Sequence, residues 1–486
     1  MSGNMVSLKD YEGIQGFGFG SSTDVEQLNK ALSAGSGRAP LSTGGGEILR
    51  VESLEATLRV TTYTLGHIKF WKMLSKLPAF STSEEYNLLR DYGSNAGAFT
   101  NEGDLPESQD SVYERKSAMV KFLGTTREVT HPMTLVRPAH GNVIGLETQN
   151  GAIWLLERLE RALFGARSDM VSQEFDGLIK QILDGVGITT PATMLYDATD
   201  VLAAGSETVV IDKRGGDVTE DDLETVTNFV VENYGTPTDL MFAPKAMSNI
   251  AKQFYPRERV NLPAPQDGKV GFAVTSFLSQ AGLIQFHPDI FLRPGRGQGV
   301  CTAPTAQTSP KAPNAPTVVA GAAAPDTKSM FKAGSTPGGT FIWQVTAINR
   351  FGESTAGASG AQAVANGSSS LLTITDGGGT YPATAYKIYR SIDGGAAATS
   401  LYLTMIARPG AGPITYTDRN WFLPKCSNGL LVQNNIQNFS VRQLAPMLKI
   451  PLATVAASIR WMQLLYLVLV LYTPRKNVLF INVKDS

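Results

Sequence analysis

A run of apolar residues lies near the end of the chain. Between Trp461 and Tyr472 only Gln463 interrupts the apolar side chains, and Pro474 follows at once. A membrane-spanning helix needs about 20 mostly apolar residues, so this segment is too short to be one. Its Leu and Val residues are typical of a strand buried on both faces. We therefore predict a core strand here and a second strand, 477–483, that returns beside it as a hairpin.

Apolar residues recur at helical spacing in "NGAIWLLERLERALFG", with charged residues on the opposite face. This pattern predicts an amphipathic helix over about 146–165 that ends at its last glycine. The charged residues of this face are Glu157, Arg158, Glu160 and Arg161. By default, such charges are expected to form a solvated helix face.

Turn and capping residues mark the next elements. Asp176 and Gly177 form a turn before another apolar run. Thr219 and Asp222 form a capping box that starts a helix, and Gly235 closes it. The following segment, "TDLMFAPKAMSNIAKQFYP", predicts a strand that leads into a helix bounded by its two prolines. Strands and helices mix irregularly here, which indicates an α+β fold rather than a doubly wound sheet.

A long polar stretch from Glu84 to Thr130 has no sustained helical period. Turn-forming residues cluster near its middle, and segments of alternating apolar and polar residues flank them. This is the pattern of a long two-stranded loop. Such a hairpin buries little surface and is marginally stable by itself, so we expect it to lean on a neighbouring molecule.

The composition changes abruptly at Cys301. The segment through position 325 is rich in Pro and Ala and has no aromatic residue, which indicates a linker. Behind it, "GTFIWQVTAINRFGES", "AYKIYRS" and "PITYTD" predict strands between glycine-rich turns. With a length of about 100 residues, this module resembles an immunoglobulin-like or fibronectin type III sandwich. Core-like sequence resumes after about 427, so we predict that the module is inserted in the main domain.

Composition narrows the class of protein. The 486 residues suffice for two or three domains, and the net charge of −1 provides no overall field to attract nucleic acid or anionic lipid. Charged residues make up only 17%, and a large protein with few charges often covers its surface with other subunits. No secretory signal is visible in the first thirty residues. The only cysteines, Cys301 and Cys426, exclude a disulfide framework and fit a reducing compartment; we take them as unrelated thiols.

Catalytic and metal-binding patterns do not rise above background. The four histidines are scattered, and none has another histidine or a cysteine at metal-ligand spacing. The glycines of "GFGFG" lack the preceding strand and the spacing of a dinucleotide fingerprint. No nucleophile elbow, zinc-protease, phosphate-loop or EF-hand motif is present. We therefore predict no enzyme activity, no cofactor and no metal, although two distant carboxylates could still meet in space.

Three stretches resemble the major capsid proteins of tailed bacteriophages, which have the Hong Kong 97 type of shell fold. They are 154–182, 216–247 and the C-terminal segment from "LAPMLKIPLATV" onward. The last is similar to the C-terminal end of capsid proteins from large contractile-tailed phages, some of which carry an immunoglobulin-like module just upstream. The order of the elements carries the resemblance, since no single motif is specific. After the predicted helix, "FGARS" departs from the Gly-Asp turn that relatives often show.

The resemblance implies an α+β fold whose parts match those of a capsid subunit. These parts are a flexible N-terminal arm (1–46), the capsid core (47–300), a linker with the inserted all-β module (301–427), and a return to the core as buried strands (428–486). Within the core lie an extended loop (about 84–130), the spine helix of the peripheral domain (about 146–165) and an axial domain (about 176–300).

The same resemblance implies a function. The protein would assemble as pentamers and hexamers into an icosahedral head shell around packaged double-stranded DNA, without sequence-specific DNA binding and without a membrane. The extended loop would lie across a neighbouring subunit. Candidate contact residues are Glu102, Asp104, Glu107, Arg115, Lys116, Lys121, Glu157, Arg158 and Arg161. Further implied partners are a scaffold, a portal, a head-maturation protease or decoration proteins, with assembly in the host cytoplasm and residence in the virion.

Two other functions stay open as alternatives. A secreted carbohydrate-binding or carbohydrate-active protein often carries a fibronectin-like module, but it predicts a signal peptide and an appended module. A tail-anchored surface adhesin would need a longer apolar segment than 461–472. On the capsid hypothesis, we expect the inserted module on the outer shell face, where it could bind neighbours, decoration proteins or cell-surface glycans.

Overall fold

The computed structural model describes much of the chain between positions 64 and 485. The described residues are 64–93, 99, 101–103, 105, 108–136, 142–168, 172–185, 210–258, 274–293, 308–327, 329–333, 336–408, 410, 412–420, 422–453 and 457–485. The predicted N-terminal arm, 1–46, lies outside them, as do Asp104, Glu107 and Cys301. All elements below belong to one compact unit, which comprises 61–136 and 143–486.

The described residues include six α-helices and four short 3-10 helices. The α-helices are α1 (Phe70–Met73), α2 (His131–Leu135), α3 (Val143–Gly165), α4 (Leu178–Gly185), α5 (Glu220–Glu232) and α6 (Pro244–Glu258). The 3-10 helices are Leu65–His67, Ile290–Leu292, Ala397–Thr399 and Pro474–Lys476.

Strands fall into three groups along the chain. The first comprises β1 (Lys76–Pro78), β2 (Ser83–Asp91), β3 (Val112–Met119), β4 (Lys121–Thr130), β5 (Val210–Asp212), β6 (Asp239–Phe242), β7 (Ser276–Ser279) and β8 (Gly282–Pro288). The second comprises β9 (Thr317–Ala320), β10 (Ala324–Pro325), β11 (Gly339–Phe341), β12 (Trp343–Asn349), β13 (Gly352–Glu353), β14 (Gly357–Ala358), β15 (Gln362–Val364), β16 (Ser368–Thr375), β17 (Ala385–Arg390), β18 (Leu401–Ala407) and β19 (Ile414–Asp418). The third comprises β20 (Cys426–Val432), β21 (Phe439–Pro451), β22 (Ser458–Leu471) and β23 (Val478–Lys484).

The predicted helices are present, with small differences at their ends. The helix predicted at about 146 begins at Val143 as α3. Helix α5 has the predicted capping box, in which Thr219 N donates to Asp222 Oδ2 over 2.7 Å and Asp222 N donates to Thr219 Oγ1 over 3.3 Å. Helix α6 continues to Glu258, so Pro256 lies inside its last turn rather than at its end. The α+β class predicted from the sequence is confirmed.

A six-stranded sheet joins the first and third groups of strands. Its order is β5-β23-β20-β6-β8-β7, with β5 parallel to β23 and β6 parallel to β8. The apolar face of α5 packs in one core cluster with this sheet, because Leu223, Val226 and Val230 are buried together with Phe242 and Phe480. The N- and C-terminal parts of the main body therefore share one sheet.

A four-stranded sheet, in the order β1-β21-β22-β4, carries the long helix α3. Leu155, Leu159 and Leu163, spaced four residues apart on α3, share a core cluster with Leu467 and Leu469 of β22. All five side chains are buried, which is what helical spacing against an apolar strand predicts.

The apolar C-terminal segment forms strands, but the predicted hairpin is wrong. Strand β22 pairs antiparallel with β21 and β4 in the four-stranded sheet, whereas β23 pairs with β20 and β5 in the six-stranded sheet. The 3-10 turn Pro474–Lys476 carries the chain from one sheet to the other. Apolar periodicity reports that a strand is buried, not which strand it pairs with. No helix among the described residues is long and apolar enough to cross a membrane.

The polar stretch 84–130 divides between two sheets. Strands β2 and β3 pair antiparallel with each other as a two-stranded hairpin. Strand β4, which the sequence assigned to the same loop, instead pairs along its whole length with β22 at the edge of the four-stranded sheet. The difference arises because β4 has an apolar strand available as a partner outside the hairpin.

The second group of strands forms an all-β unit with its own core. One sheet contains β13, β12, β14, β17 and β18, and another contains β10, β16, β19 and β9. Trp343, Val345, Leu372, Tyr386 and Ile388 are fully buried between them. The Pro- and Ala-rich segment predicted as a linker contributes β9 and β10 to this unit, so the linker is shorter than predicted. The immunoglobulin or fibronectin type III assignment stays a prediction.

Candidate functional site

The histidine and cysteine residues form no metal centre in the described part of the chain. His287 Nε2 lies 2.8 Å from Asp239 Oδ1, and Asp239 Oδ2 accepts from Thr238 Oγ1 over 2.6 Å. Burial raises the pKa of the Cys426 thiol to about 12, with Asp212 adding to the effect, so this thiol is a poor nucleophile. The features with the clearest functional meaning are instead surfaces.

The β2–β3 hairpin has two different faces. On one face Tyr86 is half-buried and packs edge-on against Tyr472, with ring centroids 5.1 Å apart. On the other face Leu89 lies directly opposite Tyr113, and both side chains are exposed. The period of two along each strand separates these faces. The hairpin therefore rests on the main body with one face and presents the other outward.

The outward face carries three exposed large apolar or aromatic side chains, Leu89, Tyr113 and Met119, among polar residues such as Glu85 and Arg115. Tyr113 is 72% exposed and Met119 is 63% exposed. Phe80 and Tyr92, just outside β2, and Val112, on the opposite side of β3 from Tyr113, are exposed as well. We call this set the hairpin surface: Phe80, Leu89, Tyr92, Val112, Tyr113 and Met119. Single exposed apolar residues are ordinary, but contiguous ones mark contact sites, and Leu89 and Tyr113 are direct neighbours across the two strands. The hairpin surface is thus the candidate subunit-contact site.

The predicted contact residues on the hairpin already have partners within the chain. Arg115 Nε donates to Asn87 Oδ1 over 3.1 Å, and its Nη1 lies 3.5 Å from Glu85 Oε2. Lys116 Nζ lies 3.7 Å from Glu114 Oε1.

The other predicted loop residues are scattered. Lys121 Nζ donates to Ser172 O over 2.6 Å, and Glu102 is exposed. Asp104 and Glu107 fall outside the described residues. Contacts of this set with a neighbouring subunit stay a prediction.

The charges of α3 are not the solvated face that the sequence predicts. Glu157 is buried and forms ion pairs with Arg161, one turn along, and with Arg158, whose Nε lies 3.6 Å away. The guanidinium of Arg158 stacks over Trp154, and that of Arg161 over Phe291. These residues therefore bind within the chain, and only Arg158 of the three is well exposed.

Sequence reasoning missed Glu160, the most buried charged residue of α3. Its side chain is 0% exposed and accepts three backbone N–H bonds: Oε1 from Lys69 (2.9 Å) and Phe70 (2.6 Å), and Oε2 from Trp71 (2.9 Å). The carboxylate thus fastens the start of α1 to α3. One sign was readable, because position 160 lies four residues from both Leu156 and Phe164 on the helix.

A second buried carboxylate lies beside Glu160. Asp289 is 2% exposed; its Oδ1 accepts from Phe291 N over 2.8 Å, and its Oδ2 has no hydrogen-bond partner among the described residues. Burial, aided by the charge of Asp289, raises the pKa of Glu160 to about 7. Burial also raises the pKa of Asp289. Two buried carboxyl groups in contact favour holding a proton.

The turn after α3 requires glycine at one position. Asp176 Oδ1 accepts from Ser168 N (2.9 Å) and Ser168 Oγ (2.7 Å), which closes the loop. A Cβ at Gly177 would lie 2.8 Å from the carbonyl oxygens of Ala162 and Phe164, too close for any side chain. The "FDG" turn therefore fixes the angle at which α4 leaves α3.

Comparison with known proteins identifies what this chain resembles. A family model described as "SU10 major capsid protein" matches residues 69–304. A protein of Enterococcus phage phiEF24C, provisionally named its major capsid protein, is 25% identical over 474 residues, 94% of this chain and 95% of that protein. The major capsid protein of Staphylococcus phage K is 22% identical over 476 residues, with the same two coverages.

Solved structures that resemble the chain include the capsid of cyanophage P-SCSP1u. It has 8% sequence identity and a TM-score of 0.44, over 92% of this chain and 97% of that chain. A TM-score below 0.5 does not establish a common fold. The family model and the two relatives matched over 95% of their lengths confirm the predicted resemblance to phage major capsid proteins.

Proposed function

We infer from these matches that the chain is a phage major capsid protein, and we propose that it assembles into an icosahedral head shell enclosing double-stranded DNA. The observation that carries the proposal is the end-to-end match, because 94% of the chain aligns with each of two phage capsid proteins over 95% of their lengths. On this proposal the protein is a structural virion component, assembled in the host cytoplasm, and not an enzyme.

Within this proposal, the parts of the chain take the roles that the sequence predicts. The β2–β3 hairpin acts as the extended loop, α3 as the spine helix, and the six-stranded sheet with α5 and α6 as the axial domain. The all-β unit is an insertion, supported by the family match, which ends at residue 304, just before that unit begins.

The hairpin surface supports assembly through contact with a second copy of the chain. An apolar side chain gains about 25 cal/mol for each Å² that it removes from water, whereas an exposed ion pair contributes about 0–1 kcal/mol. Tyr113, Met119 and Leu89 are therefore better anchors than the ion pair between Arg115 and Glu85. Pentamers and hexamers would repeat this contact many times, which is how a shell gains strength from modest single contacts.

The charge of the chain fits a container rather than a DNA-binding protein. A net charge of −1 provides no general attraction for phosphates, so the enclosed DNA would be held without sequence-specific contacts. A scaffold, a portal, a maturation protease and decoration proteins are the partners that assembly of such a shell requires or accepts.

Expression of the chain alone tests the proposal. Sedimentation and negative-stain microscopy are expected to reveal rings of five or six subunits, tubes or closed shells. A monodisperse monomer at high concentration would contradict self-assembly without a scaffold.

A pair of variants tests the role of the hairpin surface. The double change Leu89→Ser with Tyr113→Ser is expected to leave the circular dichroism spectrum unchanged and to abolish rings and shells. The matched control is Ile392→Ser, which removes a side chain that is similarly exposed on the all-β unit. Equal assembly of the hairpin variant and the wild type would exclude the hairpin surface as the contact site.

A further inference from the structure

The all-β unit meets the six-stranded sheet at the turn that follows β5. Arg214 lies in this turn, and its Nη2 donates to three oxygen atoms of the all-β unit. These are the carbonyl oxygens of Asn420 (2.9 Å) and Met330 (3.1 Å) and the hydroxyl of Thr336 (3.3 Å). One guanidinium nitrogen of the main body thus binds two separate parts of the inserted unit. Met330 and Thr336 belong to one part, and Asn420 lies near the end of the unit.

The main body holds Arg214 from the other side. Asp212 Oδ1 accepts from Arg214 N over 2.9 Å, and Asp212 Oδ2 lies 3.4 Å from Arg214 Nη1. The same Oδ1 accepts from Asn482 Nδ2 over 2.8 Å, and Asn482 Oδ1 accepts from Leu423 N over 2.9 Å. The chain that leaves the all-β unit is therefore tied to β23 and to Arg214 at one place.

The network continues into the centre of the all-β unit. Asn420 Oδ1 accepts from Arg390 Nη2 over 2.6 Å, and Arg390 Nη1 donates to Asp418 Oδ2 over 2.9 Å. Asp418 Oδ2 also accepts from Trp343 Nε1 over 2.8 Å, and Trp343 is fully buried in the core of the unit. A continuous series of hydrogen-bonded residues thus connects Asp212 in the six-stranded sheet with Trp343 in the core of the all-β unit.

The backbone of this junction is strained. Among the described residues, five other than glycine have positive φ, and four of them lie here: Arg214 (48°), Asn420 (62°), Lys425 (64°) and Asn482 (52°). Such conformations cost about 1–3 kcal/mol each and persist only where the surroundings hold them in place. A flexible connection would not need strained residues. Their clustering at this junction therefore indicates that the two parts are held in a defined geometry.

We propose that Arg214 is a clamp that holds the all-β unit in one orientation on the six-stranded sheet, so that the inserted unit moves with the main body. This inference goes beyond assembly of the shell, because it concerns how one subunit presents its inserted unit, and it stands whether or not the chain self-assembles. The Arg214 guanidinium binds the all-β unit of the same chain through two carbonyl oxygens and one hydroxyl group.

Hydrogen–deuterium exchange of the full chain tests the clamp. Arg214→Gly removes the guanidinium, and glycine accepts a φ of 48° without strain, so the variant does not force the turn out of its conformation. We expect the amide of Leu423 to exchange at least tenfold faster and the cooperative heat-unfolding transition of the full chain to split into two. Arg214→Lys keeps a positive charge beside Asp212 but loses the planar fork, and is expected to give an intermediate increase.

A matched control and a variant on the other side of the joint complete the test. Arg408→Ala breaks an ion pair with Asp376 inside the all-β unit and is expected to leave exchange at Leu423 unchanged. Thr336→Val removes one acceptor of the clamp from within the insertion and is expected to raise exchange at Leu423 less than Arg214→Gly does. If Arg214→Gly does not fold, exchange at Leu423 in Arg214→Lys and Thr336→Val tests the clamp instead. Wild-type exchange in the folded variants would overturn the proposal.

Discussion

One buried carboxyl pair of the main body and the buried carboxylates of the all-β unit are held in two different ways. In the main body Glu157 is ion-paired with Arg161, but Glu160 and Asp289 lie together, and among the described residues neither of these two carboxylates forms an ion pair. In the all-β unit the buried carboxylates are paired: Asp418 with Arg390 at 2.9 Å and Glu353 with Lys387 at 2.7 Å. Backbone N–H groups bind the first kind, with Asp289 Oδ2 left without a partner among the described residues, and cations bind the second.

The difference predicts opposite behaviour of the two regions. A buried carboxyl group without a cation favours its protonated form, so its region should respond to pH near neutrality. A buried ion pair holds its charge at neutral pH, but removal of one partner leaves the other charge buried and uncompensated. The Glu160–Asp289 site should therefore be pH-sensitive, whereas the paired carboxylates of the all-β unit should be sensitive to loss of one partner.

The largest effect is expected for Asp418→Ala in the all-β unit. The change leaves Arg390, which is 3% exposed, without its carboxylate and leaves Trp343 Nε1 without an acceptor. A loss of about 3–5 kcal/mol in the free energy of unfolding is expected, measured by urea denaturation. Asp326→Ala, which breaks a more exposed pair with Arg419, is the control and should cost far less. Similar losses in the two variants would remove the distinction between buried and exposed pairs.

The next effect concerns pH and Glu160. Its pKa rises from 4.5 to about 7 on folding, so the folded state binds more protons between these values, and stability falls as pH rises from about 4.5 to about 7. The shift corresponds to a change on the order of 3 kcal/mol. Glu160→Gln keeps an oxygen acceptor and should remove this part of the pH dependence, as measured by urea denaturation at several pH values.

Asp289→Asn sharpens the same prediction. Removing the negative charge beside Glu160 should lower the pKa of Glu160 and move the pH-sensitive window to lower pH, without abolishing it. If the wild type and Glu160→Gln have parallel stability curves from pH 4.5 to 7, the buried carboxyl pair is not the source of the pH dependence.

A smaller effect of opposite sign is expected for Glu353→Gln. Burial alone would raise the pKa of Glu353, but the charge and hydrogen bond of Lys387, with bonds from Thr346 and Tyr389, lower it overall. The stabilisation is therefore present above the unfolded pKa and lost as pH falls through the folded pKa. The variant should cost about 1–2 kcal/mol at pH 7, and this cost should shrink in acid. A cost that grows on acidification would contradict the assigned sign.

Much of the fold follows from local sequence signals. The capping box at Thr219 and the leucines of α3 act within one or two helical turns, so the sequence alone predicts those helices. The β2–β3 pairing is similarly local, since the two strands are joined directly by their own loop. Local signals of this kind do not depend on the rest of the chain.

Contacts between distant segments were not predictable in the same way. Strand β23 looks as apolar as β22, yet it pairs in another sheet, since partner choice depends on β20 and β5 far away in sequence. Glu160 looks like a surface charge until residues 69–71 approach it. Arg214 has no local motif that points to the all-β unit, because its acceptors there lie 116–206 residues away.

The smallest effect on stability is expected for an ion pair of the β2–β3 hairpin, because this pair is far more exposed than those of the all-β unit. Arg115 and Glu85 are 68% and 60% exposed at 3.5 Å, so Arg115→Ala should change the free energy of unfolding by less than about 0.5 kcal/mol. Urea denaturation checks this value, and sedimentation of the same variant measures assembly. Weakened assembly at unchanged stability would mean that Arg115 acts between subunits. A large loss of stability would mean that this pair is part of the fold, which its exposure argues against.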